Sequence, residues 1–353
     1  MKENKVSSIE FLRFFAALMV LLWHYQHFYL PYNFFFEINI FDNIESNQPF
    51  YNYLFLFYKY GYRGVDLFFI ISGYVFSYVY INDSKENISL KSFFLFRFAR
   101  LYPLHFLTLF LIMLLQSYSL NLYNDYVIYN NNDLKHFILN FFFISGWGFE
   151  KGPSFNGPVW TVSIEIIAYS IFFYLALFRK KNILFKIILI IFFLLIYRKI
   201  FKDNSIINFN IINYLILFFQ GVIIFFIKNK FKNQNYFLFL GIALLSLSLI
   251  GNFKIFLFFP GILIIFLFME KFLNHSLKTI FDFLGSLTYS IYLWHVPLQI
   301  IIILIAKNDI SSLSELQNII FFIFYILFVL TVSIISFFFF ESPVRKLIRN
   351  KFI

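Results

Sequence analysis

Long runs of apolar residues, separated by short polar segments, recur along the whole chain. The runs have roughly the 17–25 residues that a helix needs to cross the hydrocarbon layer of a membrane. Membrane-spanning helices are therefore predicted at ten places: 8–29, 54–81, 92–117, 158–178, 183–197, 207–227, 236–250, 254–270, 284–306 and 318–340.

One further apolar run, HFILNFFFISGWGF at 136–149, is too short for a span and leads into Gly152 and Pro153. We interpret it as a re-entrant or interfacial segment, as short apolar runs often are. Counting it as a full span would place the cationic segment 179–181 outside, which the positive-inside rule disfavours. The same rule predicts that both termini are cytoplasmic.

Composition supports a membrane protein, because 61% of the chain is hydrophobic and only 13% is charged. An ordinary soluble protein has about 25% charged residues. The fold class predicted is an all-α polytopic membrane bundle of about ten helices. The net charge of +11 lies mainly in short loops between spans, so we expect membrane lipid and no nucleic acid as its partner. Cysteine is absent, which excludes thiolate chemistry. No linker marks a second domain, and 1–353 is predicted to be a single transmembrane domain without a fused soluble module.

The first predicted span carries two ionisable side chains, Arg13 and His24, in an otherwise apolar stretch. Such groups are costly in hydrocarbon and therefore suggest function. Helical spacing puts the two within about 20° of one face and about 16 Å apart along the axis. His24 is a candidate general base; a hydrogen bond between helices is the alternative. For His27, one turn further out, we favour an ordinary interfacial role.

Two arginines, Arg97 and Arg100, lie one helical turn apart at the inner start of the third span, with Lys91 just before them. Guanidinium groups at this spacing can clamp phosphates, since each binds bidentately. The alternative is topological, because arginine at the cytoplasmic end of a span is also what the positive-inside rule requires.

Two carboxylates occur close to the starts of predicted spans. Asp66 lies within one turn of Arg63 in GYRGVDLFFIISGY, and the two could pair with each other. Glu165, in GPVWTVSIEIIAY, could orient His24, hold a cation such as Arg63, or accept a hydrogen bond from a sugar hydroxyl. A structural ion pair is the alternative for Glu165.

A further histidine, His295, lies in LTYSIYLWHVP near the middle of the ninth span, shortly before Pro297. Proline loosens the helix backbone locally, as happens where a helix lines a cavity. The histidines and Glu165 are of the types that bind metals, but no spacing among them supports a metal site, and none is predicted. The chain has no phosphate loop, His-Glu-x-x-His helix or Gly-x-Ser-x-Gly turn.

Six segments occur in a fixed order over nearly the whole chain: Arg13-x10-His24, GVDLFFIISGY, FRFARLYPL, WTVSIE, SIYLWHVP and ESPVRKL. Together they resemble acyltransferase family 3, whose members are membrane proteins that O-acylate sugars and related extracytoplasmic molecules. The resemblance implies ten helices, in agreement with the count from hydropathy and charge.

The resemblance also implies an acyl-coenzyme A donor, usually acetyl-CoA, bound from the cytoplasm. By this analogy His24 is the catalytic histidine and Arg13 belongs to the essential pair with it. Arg97 and Arg100 match the Arg-x-x-Arg of the family, which is thought to serve donor binding.

Glu165 matches the acidic residue that closes the tryptophan-serine motif of the family, with Thr161 in place of the first serine. This exchange keeps the hydroxyl, so we expect no effect from it. Some members carry a fused extracytoplasmic domain that completes the transfer. This chain is therefore expected to act directly on the acceptor or through a separate extracytoplasmic protein.

The function predicted is an O-acyltransferase of the bacterial inner (cytoplasmic) membrane. It moves an acetyl group from acyl-CoA to a hydroxyl of a cell-surface polysaccharide, an O-antigen or a lipid-linked glycan. The predicted site residues are His24, Glu165 and Asp66 for catalysis, Arg13, Arg97, Arg100 and Lys91 for the donor, and Arg63, His295, Trp160 and Tyr292 for the acceptor. His24 either deprotonates the acceptor or takes the acyl group itself. The alternative function is a transporter or exporter of a glycan or acylated metabolite.

Overall fold

A computed structural model describes residues 5–30, 48–82, 90–178, 182–200, 209–231, 233–250, 254–306 and 314–352. These residues are predominantly helical, 88% in all, and contain no strand. Thirteen α-helices occur in the described ranges: α1 (Ser7–Trp23), α2 (Tyr51–Tyr60), α3 (Gly64–Ser77), α4 (Leu90–Tyr123), α5 (Leu134–Phe141), α6 (Trp160–Phe178), α7 (Ile183–Ile200), α8 (Phe209–Lys230), α9 (Gln234–Ile250), α10 (Lys254–Met269), α11 (His275–Ala306), α12 (Glu315–Ser336) and α13 (Ser342–Phe352).

Eight helical stretches within the described residues are long and apolar enough to cross a membrane: Ser7–Phe28, Tyr51–Ile81, Lys91–Tyr123, Gly157–Leu175, Ile211–Lys230, Lys254–Phe272, His275–Ala306 and Leu316–Phe352. The other two predicted spans coincide with α7, which carries three cations, and with α9, which has only 17 residues. The polytopic helical membrane fold is thus confirmed. The exact number of spans and the side of each terminus stay predictions.

The chain forms two compact units, and both are discontinuous in sequence. The first unit comprises Met1–Ala16, Val65–Asn87 and Ser163–Ser286, and the second comprises Ala17–Gly64, Ile88–Val162 and Leu287–Ile353. Helices α7 to α10 belong to the first unit, whereas α2, α4, α5, α12 and α13 belong to the second.

Close backbone contact between α3 and α8 organises the first unit. A Cβ atom on Gly73 would collide with the backbone of Phe218, and one on Gly221 would collide with the carbonyl oxygen of Ile70. Lipid is as apolar as a leucine side chain, so helices in a membrane associate through close packing of small residues. The two glycines therefore fix how α3 and α8 pack.

Three prolines, Pro103, Pro260 and Pro297, lie inside long helices of the described residues. At Pro260 and Pro297 a side-chain amide satisfies the carbonyl that the proline leaves free. Proline has no N–H, so the carbonyl four residues before it loses its donor. In α10 this is the carbonyl of Phe256, four residues before Pro260, and Gln220 Nε2 donates to it at 3.0 Å.

The same arrangement occurs in the second unit. Pro297 lies inside α11, and the carbonyl of Leu293 accepts a hydrogen bond from Asn156 Nδ2 at 3.0 Å. The sequence predicted a loosened backbone at Pro297; the structure adds the group that keeps the helix continuous there. In hydrocarbon such a replacement is needed, because no water is present to satisfy a free carbonyl.

The apolar run at 136–149 forms the eight-residue helix α5 followed by a 3-10 turn, Ser145–Trp147. A helix of this length rises only about 12 Å and cannot cross a membrane. Its polar residues His136 and Asn140 are buried, while Leu134 and Ile138 are exposed. The short element agrees with the sequence; its position relative to the membrane stays a prediction.

Candidate active site

The first helix does not continue to residue 29 as a single α-helix. It ends at Trp23, and His24–Phe28 form a 3-10 helix whose five side chains are all buried. Side chains three residues apart eclipse each other in a 3-10 helix. His24 and His27 therefore lie on one face, with their ring centroids 5.0 Å apart. His27 is fully buried, whereas the sequence favoured an interfacial role for it.

A third imidazole joins this pair within the second unit. His295, from α11, is buried, and its ring centroid lies 4.8 Å from that of His24. The structure thus brings together His24 and His295, which the sequence predicted as site residues in separate spans. No group of three His, Cys, Asp or Glu side chains within the described ranges is arranged to hold a metal ion.

Hydrogen bonds to backbone carbonyls define which nitrogen of each imidazole carries the proton. His24 Nδ1 lies 2.9 Å from the carbonyl oxygen of Val20, and His295 Nδ1 lies 3.2 Å from that of Ile291. A carbonyl only accepts, so Nδ1 is the protonated nitrogen in both rings, an assignment made from the hydrogen-bond network. The lone pair of each neutral imidazole is consequently on Nε2.

Gln299 orients the imidazole of His27 and was not identified from the sequence. Its Nε2 donates to the carbonyl of His24 at 2.8 Å, and its Oε1 lies 2.9 Å from His27 Nδ1. Since the amide oxygen only accepts, His27 also donates from Nδ1. A signal was present in the sequence, because Gln299 is a polar residue in an apolar span one turn after His295.

Aromatic residues surround the imidazoles. The ring of Tyr129 lies edge-on to His27, with centroids 5.5 Å apart, and Trp23 lies edge-on to His24 at 4.6 Å. Burial raises the pKa of Tyr129 well above its usual value, so its hydroxyl stays protonated at neutral pH. Tyr129 is therefore a neutral aromatic neighbour of His27.

Tyr292, a predicted acceptor residue, lies one turn before His295 with ring centroids 5.9 Å apart. Its hydroxyl is 2.7 Å from Thr161 Oγ1 and 2.8 Å from the carbonyl oxygen of Pro158. Thr161 Oγ1 also lies 3.0 Å from that carbonyl. The hydroxyl that replaces the serine of the family motif is thus hydrogen-bonded. Trp160 precedes it at the start of α6 and is half-buried.

The two predicted catalytic carboxylates belong to the first unit. Glu165 accepts a hydrogen bond from Ser72 Oγ at 2.8 Å and another from the hydroxyl of Tyr169. Asp66 is 3% exposed and lies in the first turn of α3, where the helix dipole favours a negative charge. That either of them orients His24 stays a prediction.

Arg13 also belongs to the first unit, where Glu10 pairs with it. Arg13 Nη1 lies 3.2 Å from both carboxylate oxygens of Glu10, and the absence of a side chain at Gly285 leaves room for Glu10. Glu270 accepts from the backbone N–H of Ser8 at 2.8 Å and pairs with a lysine of α11 at 3.0 Å. Glu10 was not identified from the sequence, although it lies one turn before Arg13.

The predicted donor-binding cations of the second unit lie near the start of α4. Lys91 is exposed, and Arg97 and Arg100 are half-buried one turn apart. Helix α13 packs against α4, and the guanidinium of Arg349 lies 4.9 Å from the ring centroid of Phe96. Helix α13 thus places a further cation against Phe96, the residue before Arg97.

Arg63, a predicted acceptor residue, ends the 3-10 turn Gly61–Arg63 that links α2 to α3. It is half-buried, and its guanidinium lies 4.8 Å from the ring centroid of Tyr62. A Cβ on Gly61 would collide with the backbone of Met19, so this turn packs closely on α1 within the second unit.

Two carboxylates near α5 have shifted pKa values of opposite direction. Hydrogen bonds from the backbone N–H and Nδ1 of His136 lower the pKa of Asp133, which caps α5. Burial raises the pKa of Glu150, although Ser154 Oγ donates to it at 2.7 Å and Asn140 Nδ2 at 3.1 Å. The segment is thus held by a polar network that depends on pH.

Comparison with known proteins defines the family. The chain is 30% identical over 148 residues to an uncharacterized protein of Haemophilus influenzae, an alignment that covers 37% of this chain and 58% of that protein. The chain therefore spans little more than half the length of this relative. No solved structure matches the chain. A family model described as an acyltransferase domain matches residues 6–338. The chain belongs to acyltransferase family 3 and has the helical fold of a multi-pass membrane protein.

Proposed function

We propose that this acyltransferase transfers an acetyl group from acetyl-CoA to a hydroxyl of a cell-surface polysaccharide or lipid-linked glycan, in the bacterial cytoplasmic membrane. The observation that carries the proposal is the state of His24, whose Nδ1 proton is held by the carbonyl of Val20. The Nε2 lone pair can then accept the proton of a hydroxyl or attack a thioester carbonyl.

Donor binding is assigned to cations. Coenzyme A carries several phosphate charges, and a guanidinium matches a phosphate bidentately. Arg97 and Arg100 supply two such groups one turn apart, and Lys91 lies in the first turn of the same helix. Arg13 is the fourth cation in the proposal. The pantetheine arm would then extend from these cations towards His24.

Acceptor binding is assigned to polar and aromatic side chains. Tyr292 and Trp160 present aromatic rings near His295 and Thr161, and Arg63 provides a cation. Each can contact a sugar through a ring face or a hydrogen bond. Glu165 and Asp66, on α6 and α3, are proposed to orient His24 or the acceptor hydroxyl. A separate extracytoplasmic protein could complete the transfer to the final glycan.

Acetyl transfer is tested with the full chain reconstituted in lipid nanodiscs, [¹⁴C]acetyl-CoA and a panel of alkyl glycosides. We expect label to move to a glycoside with the wild type and not with His24→Gln. His275→Gln is the matched control, because that histidine is exposed at the start of α11. Equal transfer by His24→Gln would overturn the mechanism. Counterflow of unmodified glycoside without acetylation would support a transporter instead.

A further inference from the structure

The second unit holds more imidazole bases than direct acyl transfer requires. Direct transfer needs one lone pair, that of His24, yet His295 lies beside it in the same tautomer. His295 Nε2 is buried and finds no hydrogen-bond partner in the part of the chain that the structure describes. A buried polar atom without a partner costs free energy, which makes a functional use of that lone pair the natural explanation.

We propose that His24 is acylated and that His295 is the base that deprotonates the incoming hydroxyl. This inference rests on the proposed function and specifies how its chemistry is divided. An imidazole acylated at Nε2 has no lone pair left, because Nδ1 carries the proton bonded to Val20. A second base must therefore serve the second half of the reaction, and the ring of His295 lies 4.8 Å away.

The first half-reaction forms a bond between His24 Nε2 and the acetyl carbon and breaks the thioester C–S bond. Coenzyme A leaves as a thiolate, and the acylated ring is an imidazolium cation because Nδ1 keeps its proton. No proton moves in this step. The positive ring is a good leaving group, which makes the acetyl carbon reactive.

In the second half-reaction the acceptor oxygen attacks the acetyl carbon and its proton passes to His295 Nε2. The C–N bond to His24 then breaks, and its electron pair restores the neutral imidazole. The proton on His295 finally reaches the thiolate of coenzyme A. The sum is one ester and one thiol formed from one thioester and one alcohol, so atoms and charge balance.

Positions along the two helices suit this division. His24 begins a buried 3-10 helix and His295 lies two residues before Pro297, where Asn156 maintains the backbone. Both rings are anchored through Nδ1 to carbonyls of their own helices, four residues earlier in each case. Because the anchors are backbone atoms, each lone pair has a defined direction.

The test separates the half-reactions in nanodisc-reconstituted chains given [¹⁴C]acetyl-CoA without a glycoside. We expect His295→Gln to release about one coenzyme A per chain, and to keep the label on the chain in a form that hydroxylamine removes. Transfer to a glycoside, and to water, should fall by a factor of about 10²–10⁴, the usual effect of losing a general base. His24→Gln should show neither release nor label, and His275→Gln should behave as the wild type.

Two results would overturn the inference. One is turnover by His295→Gln within about threefold of the wild type. The other is a His295→Gln variant that unfolds at the wild-type temperature but neither releases coenzyme A nor turns over. That result would place His295 in the first half-reaction or in donor binding. Failure of the wild type to acetylate any glycoside would instead contradict the proposed function.

Discussion

Asn156 donates a hydrogen bond to the carbonyl of Leu293, the same carbonyl that Pro297 deprives of its helical donor. The two residues joined by this bond are 137 positions apart. The contact keeps α11 continuous two residues after His295, so it links the backbone of the helix to the position of a candidate catalytic side chain.

This relationship predicts energetic coupling between Asn156 and Pro297. Asn156→Leu should lower the free energy of unfolding by about 1–3 kcal/mol, since it leaves a buried carbonyl without a donor. In a Pro297→Ala background the same change should cost less, because an alanine at that position supplies the backbone N–H that proline lacks. Thermal unfolding of the four proteins in one detergent measures the difference. If the effects of the two substitutions on the free energy of unfolding were additive, Asn156 and Pro297 would not be coupled.

The matched control is the equivalent arrangement in the first unit. Gln220→Leu removes the donor to the carbonyl of Phe256, and Pro260→Ala should restore it. We expect the same coupling in stability. Specific acetyl transfer by the folded fraction should stay close to that of the wild type, since both residues act on the backbone of α10 and neither is a proposed site residue.

Gln299 is predicted to matter for chemistry beyond its effect on stability. Gln299→Leu removes both the donor to the His24 carbonyl and the acceptor for His27 Nδ1. Acetyl transfer per folded chain should fall more than tenfold, because one lost hydrogen bond of about 1.4 kcal/mol is already a factor of ten.

Gln116 provides the control for Gln299. It is similarly buried in the second unit and also makes two hydrogen bonds through its amide, in its case with the carbonyl and the N–H of Val127. Gln116→Leu should lower the unfolding temperature by a similar amount and leave the transfer rate per folded chain unchanged. Equal losses of activity in both variants would show that Gln299 acts only on stability.

The two carboxylates in the polar network around α5 are predicted to make the stability of the fold depend on pH in opposite directions. Burial raises the pKa of Glu150 in the folded chain. Its contribution to the stability of the fold is therefore full below the unfolded pKa of 4.5 and is lost as pH rises through the folded pKa. The hydrogen bonds from His136 lower the pKa of Asp133 in the folded chain. Its contribution to the stability of the fold is therefore present above the unfolded pKa of 3.8 and is lost as pH falls through the folded pKa.

Unfolding temperatures measured across pH separate the two limbs. Glu150→Gln should flatten the decrease on the alkaline side of 4.5, and it keeps an acceptor for Ser154 and Asn140. Asp133→Asn should flatten the decrease on the acid side of 3.8. A profile unchanged in both variants would mean that these carboxylates do not contribute to folding.

Sequence reasoning located the helices and the two histidines for physical reasons that are local. Hydropathy over about 20 residues defines a membrane helix, and an imidazole in an apolar span stands out by its cost. The change to a 3-10 helix at His24 was not predictable, because no residue in HYQHF disfavours an α-helix. The roles of Asn156 and Gln299 depend on contacts between distant segments, which no local pattern contains. Where Glu165 and Asp66 act relative to His24 is likewise non-local and stays a prediction.

The Arg-x-x-Arg pair gives a prediction that separates donor binding from membrane topology. Topology requires only positive charge near the start of α4, which lysine supplies equally well. The planar guanidinium group of arginine binds a phosphate through two parallel hydrogen bonds. The change to lysine removes this geometry, because an ammonium group is a point charge. Arg97→Lys and Arg100→Lys should therefore raise the KM for acetyl-CoA about tenfold each, the effect of about 1.4 kcal/mol, with a smaller change in kcat.

Arg198→Lys is the matched control for this pair, since its guanidinium lies 5.1 Å from the ring centroid of Phe256 in the first unit. Its KM for acetyl-CoA should equal that of the wild type. Raising the salt concentration should weaken donor binding similarly in the wild type and in Arg100→Lys, because lysine keeps the positive charge that salt screens and loses only the bidentate geometry. If Arg97→Lys and Arg100→Lys both insert normally into the membrane and keep the wild-type KM for acetyl-CoA, the two arginines serve topology alone. Donor binding would then fall to other cations, such as Arg349 beside Phe96.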